Sequence, residues 1–219
     1  MIKKYKFNCP VVIKKLPDYS TINSNLLRYF DACDYSGVRA EEAINHKVTE
    51  NYYPDSFNKL DFNVSGDFER PWVQYFLPHL KKQLKEIANF LWYDDFTVNC
   101  IWFQEYLRGN HHGWHIHGDN FTGVYYVKFD PKKSPKTEII DPYNNSVAKR
   151  MDVKCGDLIL FPSFFIHRAP VVFDDTKKVI ISFNVNISKP SEELFDSKRI
   201  SYGFLDKIKN KMGSKYNRL

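Results

Sequence analysis

The chain has 219 residues, 43% of them hydrophobic and 26% charged, with a net charge of +6. That is enough for one well-buried core and argues against two, so a single domain over 1–219 is expected. The basic excess is spread over both ends and forms no block, so it permits a nucleic-acid partner without arguing for one. No apolar run approaches the ~18–20 residues of a membrane span, and the four cysteines form no CxxC pair. Both facts point to a cytoplasmic protein with reduced thiols and no membrane association.

Taken in chain order, residues 5–15 read as an opening edge strand interrupted by Pro10. A helix is expected over 18–33, from Leu26, Leu27 and Phe30 at helical spacing. Residues 34–67 are turn-rich. Pro71 then opens the strongest helix, 70–92, whose apolar stripe runs from Val73 to Leu91 opposite Lys81, Lys82 and Lys85. Residues 1–95 thus supply a strand and supporting helices.

From residue 97 the hydrophobic period changes to two. Strands are expected at Val98–Tyr106, Gly113–His117, Phe121–Phe129, Thr137–Ile140, Met151–Lys154, Asp157–Phe161, Phe165–Ala169 and Lys178–Ile187. Eight short strands separated by turn signals predict a mainly β fold with flanking helices. The economical form is a jelly roll (a double-stranded β-helix, cupin-like) over 97–188, with the helices outside one sheet. The tail, 189–219, reads as a basic amphipathic helix.

Five of the seven histidines carry the chemistry. His111, His112, His115 and His117 crowd one stretch, and His167 follows fifty residues after His117. On a strand His115 and His117 project from one face. Two ligands close together plus one remote nitrogen is the pattern of a facial triad for non-haem iron. Asp119 competes for the second position, because His117 and Asp119 are also a His-x-carboxylate pair. Gly118-Asp119-Asn120 is strong turn chemistry, however, and a turn there favours His115, His117 and His167. His111 and His112 are read as loop residues, and His46 and His79 as uninvolved. In the last strand Lys178, Ile180, Ser182 and Asn184 share one face, and the other face is wholly apolar. A lysine followed by small polar groups suits the wall of a polar cavity.

These segments resemble the Fe(II)/2-oxoglutarate-dependent dioxygenases, within them the uncharacterised bacterial and marine-phage branch. His115-Ile-His117 followed by Thr122-Gly123-Val124-Tyr125-Tyr126 is similar to that branch's H-x-H … S-G-V-Y-Y. Gly156-Asp157 … Phe161-Pro162-Ser163 … His167 is similar to its G-D-x-x-x-F-P-S … H, and Lys178 … Ser182-Phe183-Asn184 to its R-I-S-I-x-F-N. The resemblance implies Fe(II), 2-oxoglutarate as cosubstrate and O₂. His115, His117 and His167 would be the metal ligands, Lys178 would pair with the cosubstrate's C5 carboxylate, and no catalytic group is assigned beyond the metal ligands. The family's tyrosine maps to Tyr126, although strand period allows only one of Tyr125 and Tyr126 to face inward. Two departures stand out: histidine for the usual carboxylate ligand, and lysine for the usual arginine. The implied activity is hydroxylation, with a protein side chain such as prolyl as the leading substrate and a small metabolite or a nucleobase left open. A phage origin would place it in the host cytoplasm. A three-histidine cupin-type dioxygenase or isomerase without 2-oxoglutarate is the alternative, and a non-catalytic jelly-roll binding module a third reading.

Overall fold

The computed structural model describes residues 9–33, 55–62, 68–140 and 147–195. The expected C-terminal helix beyond 195, His46 and most of the turn-rich 34–67 lie outside them. The elements are β1 (Val12–Lys15), α1 (Tyr19–Ala32), β2 (Lys59–Leu60), α2 (Pro71–Phe90), β3 (Tyr93–Tyr106), β4 (His112–His115), β5 (Phe121–Lys128), β6 (Glu138–Ile140), β7 (Ala148–Arg150), β8 (Asp157–Pro162), β9 (Ile166–Ala169) and β10 (Lys178–Pro190). All strand pairs are antiparallel. One sheet runs β1-β8-β5-β10-β3-β2 and the other β4-β9-β6-β7. The eight strands β3–β10 therefore divide four and four, as a jelly roll requires, while β1 and β2 extend the larger sheet.

Three boundaries depart from expectation. β3 begins at Tyr93, because the far end of β10 pairs with it as far as Pro190↔Tyr93. The strand expected at Met151–Lys154 forms instead at Ala148–Arg150, where it pairs with β6. β4 stops at His115 and leaves His117 beyond the strand.

The outer face of the large sheet makes the main core. Ile101, Phe103, Tyr125, Val127, Leu158, Leu160, Val179, Ile181 and Phe183 pack against the buried stripe of α2 and against Leu26 and Phe30 of α1. Alternation along each strand leaves the other face to a second, smaller core between the sheets: Tyr106, Val124, Tyr126, Ile139, Ile159, Phe161 and Ile180. Gly123 lies opposite Phe183 in the neighbouring strand. A Cβ there would stand 2.2 Å from the Phe183 ring, so only glycine allows the two strands this packing. Gly156, at φ +82°, turns the chain into β8 beneath the Tyr19 ring.

One buried polar knot ties α2 to β3. Arg70 donates to Asp61 Oδ2 (2.5 Å) and to the Ile101 carbonyl (2.5 Å), and Trp72 Nε1 and the Phe103 amide donate to the same carboxylate. Burial pushes the Asp61 carboxyl up to about 6 even beside Arg70. No sequence pattern marks this set.

Candidate metal centre

β4 and β9 lie side by side, with His115 directly opposite His167. Past the end of β4 the His117 amide donates to the Ser163 carbonyl (3.1 Å). This returns the His117 ring to the other two. One nitrogen from each of His115, His117 and His167 lies within 4.8 Å of the others. The ring centroids are 5.0 Å (His115–His117), 4.2 Å (His115–His167) and 5.1 Å (His117–His167) apart.

Hydrogen bonds select the nitrogens available to a ligand. His115 Nδ1 is 2.7 Å from the Gly113 carbonyl, and His167 Nδ1 is 2.9 Å from the Phe165 carbonyl. A carbonyl only accepts, so Nδ1 carries the proton in each ring and Nε2 is left with a free lone pair. Burial holds His115 down to about 4. Burial and the neighbouring imidazoles hold His167 well below its ordinary value. Neutral, Nδ1-protonated imidazoles are the form that binds a divalent transition metal. The donor set fits such an ion.

Gly118–Asn120 is a bend, and within it Asp119 accepts from Asn99 Nδ2. Asp119 is not part of the histidine cluster. His111 forms an isolated bridge to Ser56 outside the cluster, and His79 packs on Tyr75 in α2. His112 is not a loop residue. It opens β4 and is buried, its ring 3.8 Å from that of His115. The register shift between His112 and His115 is the reason, since residues three apart on a regular strand face opposite ways.

Behind the cluster lies a small cavity of about 20 Å³, lined among others by Trp102, Gln104, Thr122, Thr137, Ile180 and Ser182. Lys178 lies deeper between the sheets, opposite Tyr106 and wholly buried. Its Nζ donates to the Pro135 carbonyl (2.9 Å) and stands 5.3 Å from the Tyr106 ring centroid. Burial alone brings the amine down to about 7. Tyr126 shares the inner face of β5 with Thr122 and Val124, and its hydroxyl meets Thr137 Oγ1 at 2.5 Å. Tyr125 points the other way, donating to Asn23 Oδ1 of α1 (2.6 Å). The inward tyrosine that sequence reasoning missed is Tyr106. It lines the cavity, and its buried hydroxyl has no hydrogen-bond partner among the described residues. Such a group costs about 1–3 kcal/mol when left unmet, so a ligand oxygen beside Lys178 would be well received. The inward parity of Trp102, Gln104 and Tyr106 on β3 was the available signal.

Residues 100–184 match the family model described as "Putative 2OG-Fe(II) oxygenase". No curated protein matches the chain in sequence. Among solved structures, a Pseudomonas putida prolyl-4-hydroxylase is 15% identical with a TM-score of 0.53, covering 82% of this chain and 94% of its own. A Trichoplax adhaerens prolyl hydroxylase, in complex with a hypoxia-inducible-factor oxygen degradation domain peptide fragment, is 15% identical with a TM-score of 0.56, covering 81% and 83%. HygX from Streptomyces hygroscopicus, with nickel and 2-oxoglutarate bound, is 7% identical with a TM-score of 0.57, covering 84% and 85%. The fold is thus shared well beyond recognisable sequence identity. Among the described residues no helix is long and apolar enough to cross a membrane. Residues 100–184, the core strands, are thus similar to the 2OG-Fe(II) oxygenases, and the solved structures show that the fold is shared.

Proposed function

We propose that the protein hydroxylates a prolyl side chain of a protein substrate, with Fe(II) held by His115, His117 and His167. The observation that carries the metal assignment is the convergence of three imidazoles, two of which, His115 and His167, have Nδ1 already committed to a carbonyl. Bound iron with 2-oxoglutarate and O₂ supplies the oxidising chemistry, with succinate and CO₂ as coproducts.

The chain's own residues bind and orient. Lys178, buried beside the cavity-lining Tyr106, takes the C5 carboxylate of 2-oxoglutarate as its charge partner. The free hydroxyl of Tyr106 donates to the same group, and Tyr126, held by Thr137, closes the inner wall. The second core packed around them excludes water from the pair. Neutral histidines leave the centre one negative charge poorer than a site with a carboxylate ligand, so the anionic cosubstrate meets less repulsion there.

A prolyl side chain is favoured by the walls near His117. The Trp102 ring is 5.9 Å from the His117 ring, and Phe62 stands edge-on to Trp102 at 5.0 Å. Flat aromatic faces suit a compact apolar ring better than a charged side chain. The test is anaerobic titration of Fe(II)-loaded protein with 2-oxoglutarate, followed by aerobic incubation with proline-containing peptides and mass spectrometry. A visible charge-transfer band and a 16-Da gain on proline are expected. The band without any gain on proline peptides would remove the substrate assignment and leave the oxygenase.

A further inference from the structure

A chain of buried polar groups runs behind His115. Ser182 Oγ donates to Gln104 Oε1 (2.8 Å), and Gln104 Nε2 lies 3.3 Å from His112 Nδ1. An amide nitrogen only donates, so His112 Nδ1 is the accepting nitrogen and the ring proton sits on Nε2. That Nε2 faces Asp55 Oδ2 at 3.5 Å, while Asp55 Oδ1 accepts the Gly113 amide (2.9 Å). Ser182, Gln104 and His112 are all buried.

With Gln104 on its Nδ1 side and the Asp55 carboxylate facing Nε2 at 3.5 Å, beyond a formed hydrogen bond, the His112 ring lies almost parallel to His115, with centroids 3.8 Å apart and planes at 13°. Phe57 meets His112 edge-on at 5.4 Å. The His115 ring also has its hydrogen bond to the Gly113 carbonyl, which sets the tautomer but permits tilting, and it meets the other two ligand rings at an angle. Gly113 itself is tied to Asp55, so two arms from one carboxylate reach His115: one through the Gly113 peptide, one through the His112 ring. His112 cannot serve as a fourth ligand in this arrangement, because its one lone pair already faces Gln104.

We propose that His112 is a positioning residue of the metal centre, a flat plate set by Gln104 and Asp55 that keeps His115 Nε2 turned toward His117 and His167. The inference rests on the three-histidine reading of the site. An ordinary core residue at this position would need neither the amide nor the carboxylate. Burying three polar groups to hold one ring is worthwhile where ring orientation matters.

Co(II) binding to the full chain, read by calorimetry and by the visible d–d spectrum, tests it. Wild type should bind one Co(II); failure to do so would sink the metal reading itself, a result separate from this one. His112→Ala should weaken Co(II) binding about ten- to a hundredfold and change the d–d spectrum. His112→Phe, which restores a flat ring, should bring affinity to within about threefold of wild type and recover the spectrum, as second-shell changes that preserve geometry do. If His112→Ala does not fold, His112→Leu, bulky but not flat, is read in its place. Wild-type affinity and spectrum in the folded Ala or Leu variant would overturn the proposal. Loss in His112→Phe as deep as in His112→Ala would also overturn it, by making His112 a ligand.

Discussion

Replacing Lys178 by methionine separates a residue kept for binding from one kept for folding. The amine is 0% exposed, and its described partner is one carbonyl, at 2.9 Å. Burial lowers it from 10.5 to about 7. At about 1.36 kcal/mol per pH unit, this places a penalty of roughly 5 kcal/mol on the buried cation. The sign follows from proton counts. Between pH 7 and 10.5 the unfolded chain holds this proton and the folded one does not, so stability from this group rises with pH across that window and is lowest below 7. Lys178→Met, similar in volume, should therefore be more stable than wild type at pH 7, by about 1–3 kcal/mol once relaxation is allowed for. Cosubstrate binding should move the opposite way. Losing a charge-assisted hydrogen bond of about 1.5–3 kcal/mol raises the Kd for 2-oxoglutarate ten- to over a hundredfold, with metal affinity unchanged. Calorimetry on anaerobic Mn(II)-loaded protein gives a further signature. Above pH 7 wild type must take up a proton to bind the dianion, so its Kd should climb about tenfold per pH unit, whereas Lys178→Arg, charged throughout, should show a flat profile. Wild-type binding in Lys178→Met, or a wild-type profile as flat as that of the arginine variant, would refute the carboxylate role. The cupin-like alternative without 2-oxoglutarate would then gain weight.

Changing His115, His117 or His167 to alanine should abolish stoichiometric iron by metal analysis, while Asp119→Ala, which removes only a partner of Asn99, should keep it. In the metal-free protein His115 falls from 6.5 to about 4 on folding. Stability is therefore complete above 6.5 and is lost as the pH drops toward 4, by about 3 kcal/mol from this group. Urea titrations at both ends of that range should show His115→Gln flatter than wild type by about that amount. Gly123→Ala drives a methyl into the Phe183 ring. It should cost about 2–3 kcal/mol and lower the melting temperature by roughly 5–10 °C, with iron stoichiometry retained.

What the sequence by itself determined were properties of short stretches of chain. The helical stripe after Pro71 and the switch to period two after residue 97 are local, and α2, β5, β8 and the start of β10 lie within a few residues of where that pattern puts them. The two faces of β10, with Lys178 and Ser182 inward and Val179, Ile181 and Phe183 in the core against the helices, follow from parity once a strand is assigned. The bend at Gly118–Asn120 was likewise legible from composition.

Tertiary structure decided whatever depends on the partner strand. β4 ends at His115 because its pairing with β9 ends at His167, so His117 reaches the cluster from outside the strand by way of Ser163. The shift in that same ladder turns His112 inward, against its spacing from His115. Tyr126 rather than Tyr125 faces the space between the sheets because α1 and α2 cover one side of β5 only, an arrangement that periodicity cannot assign. The free hydroxyl of Tyr106 and the Asp61–Arg70–Trp72 knot are equally silent in the sequence. Periodicity is set by each residue's own backbone geometry, whereas register, bulges and the satisfaction of buried polar atoms are set by groups brought from distant parts of the chain.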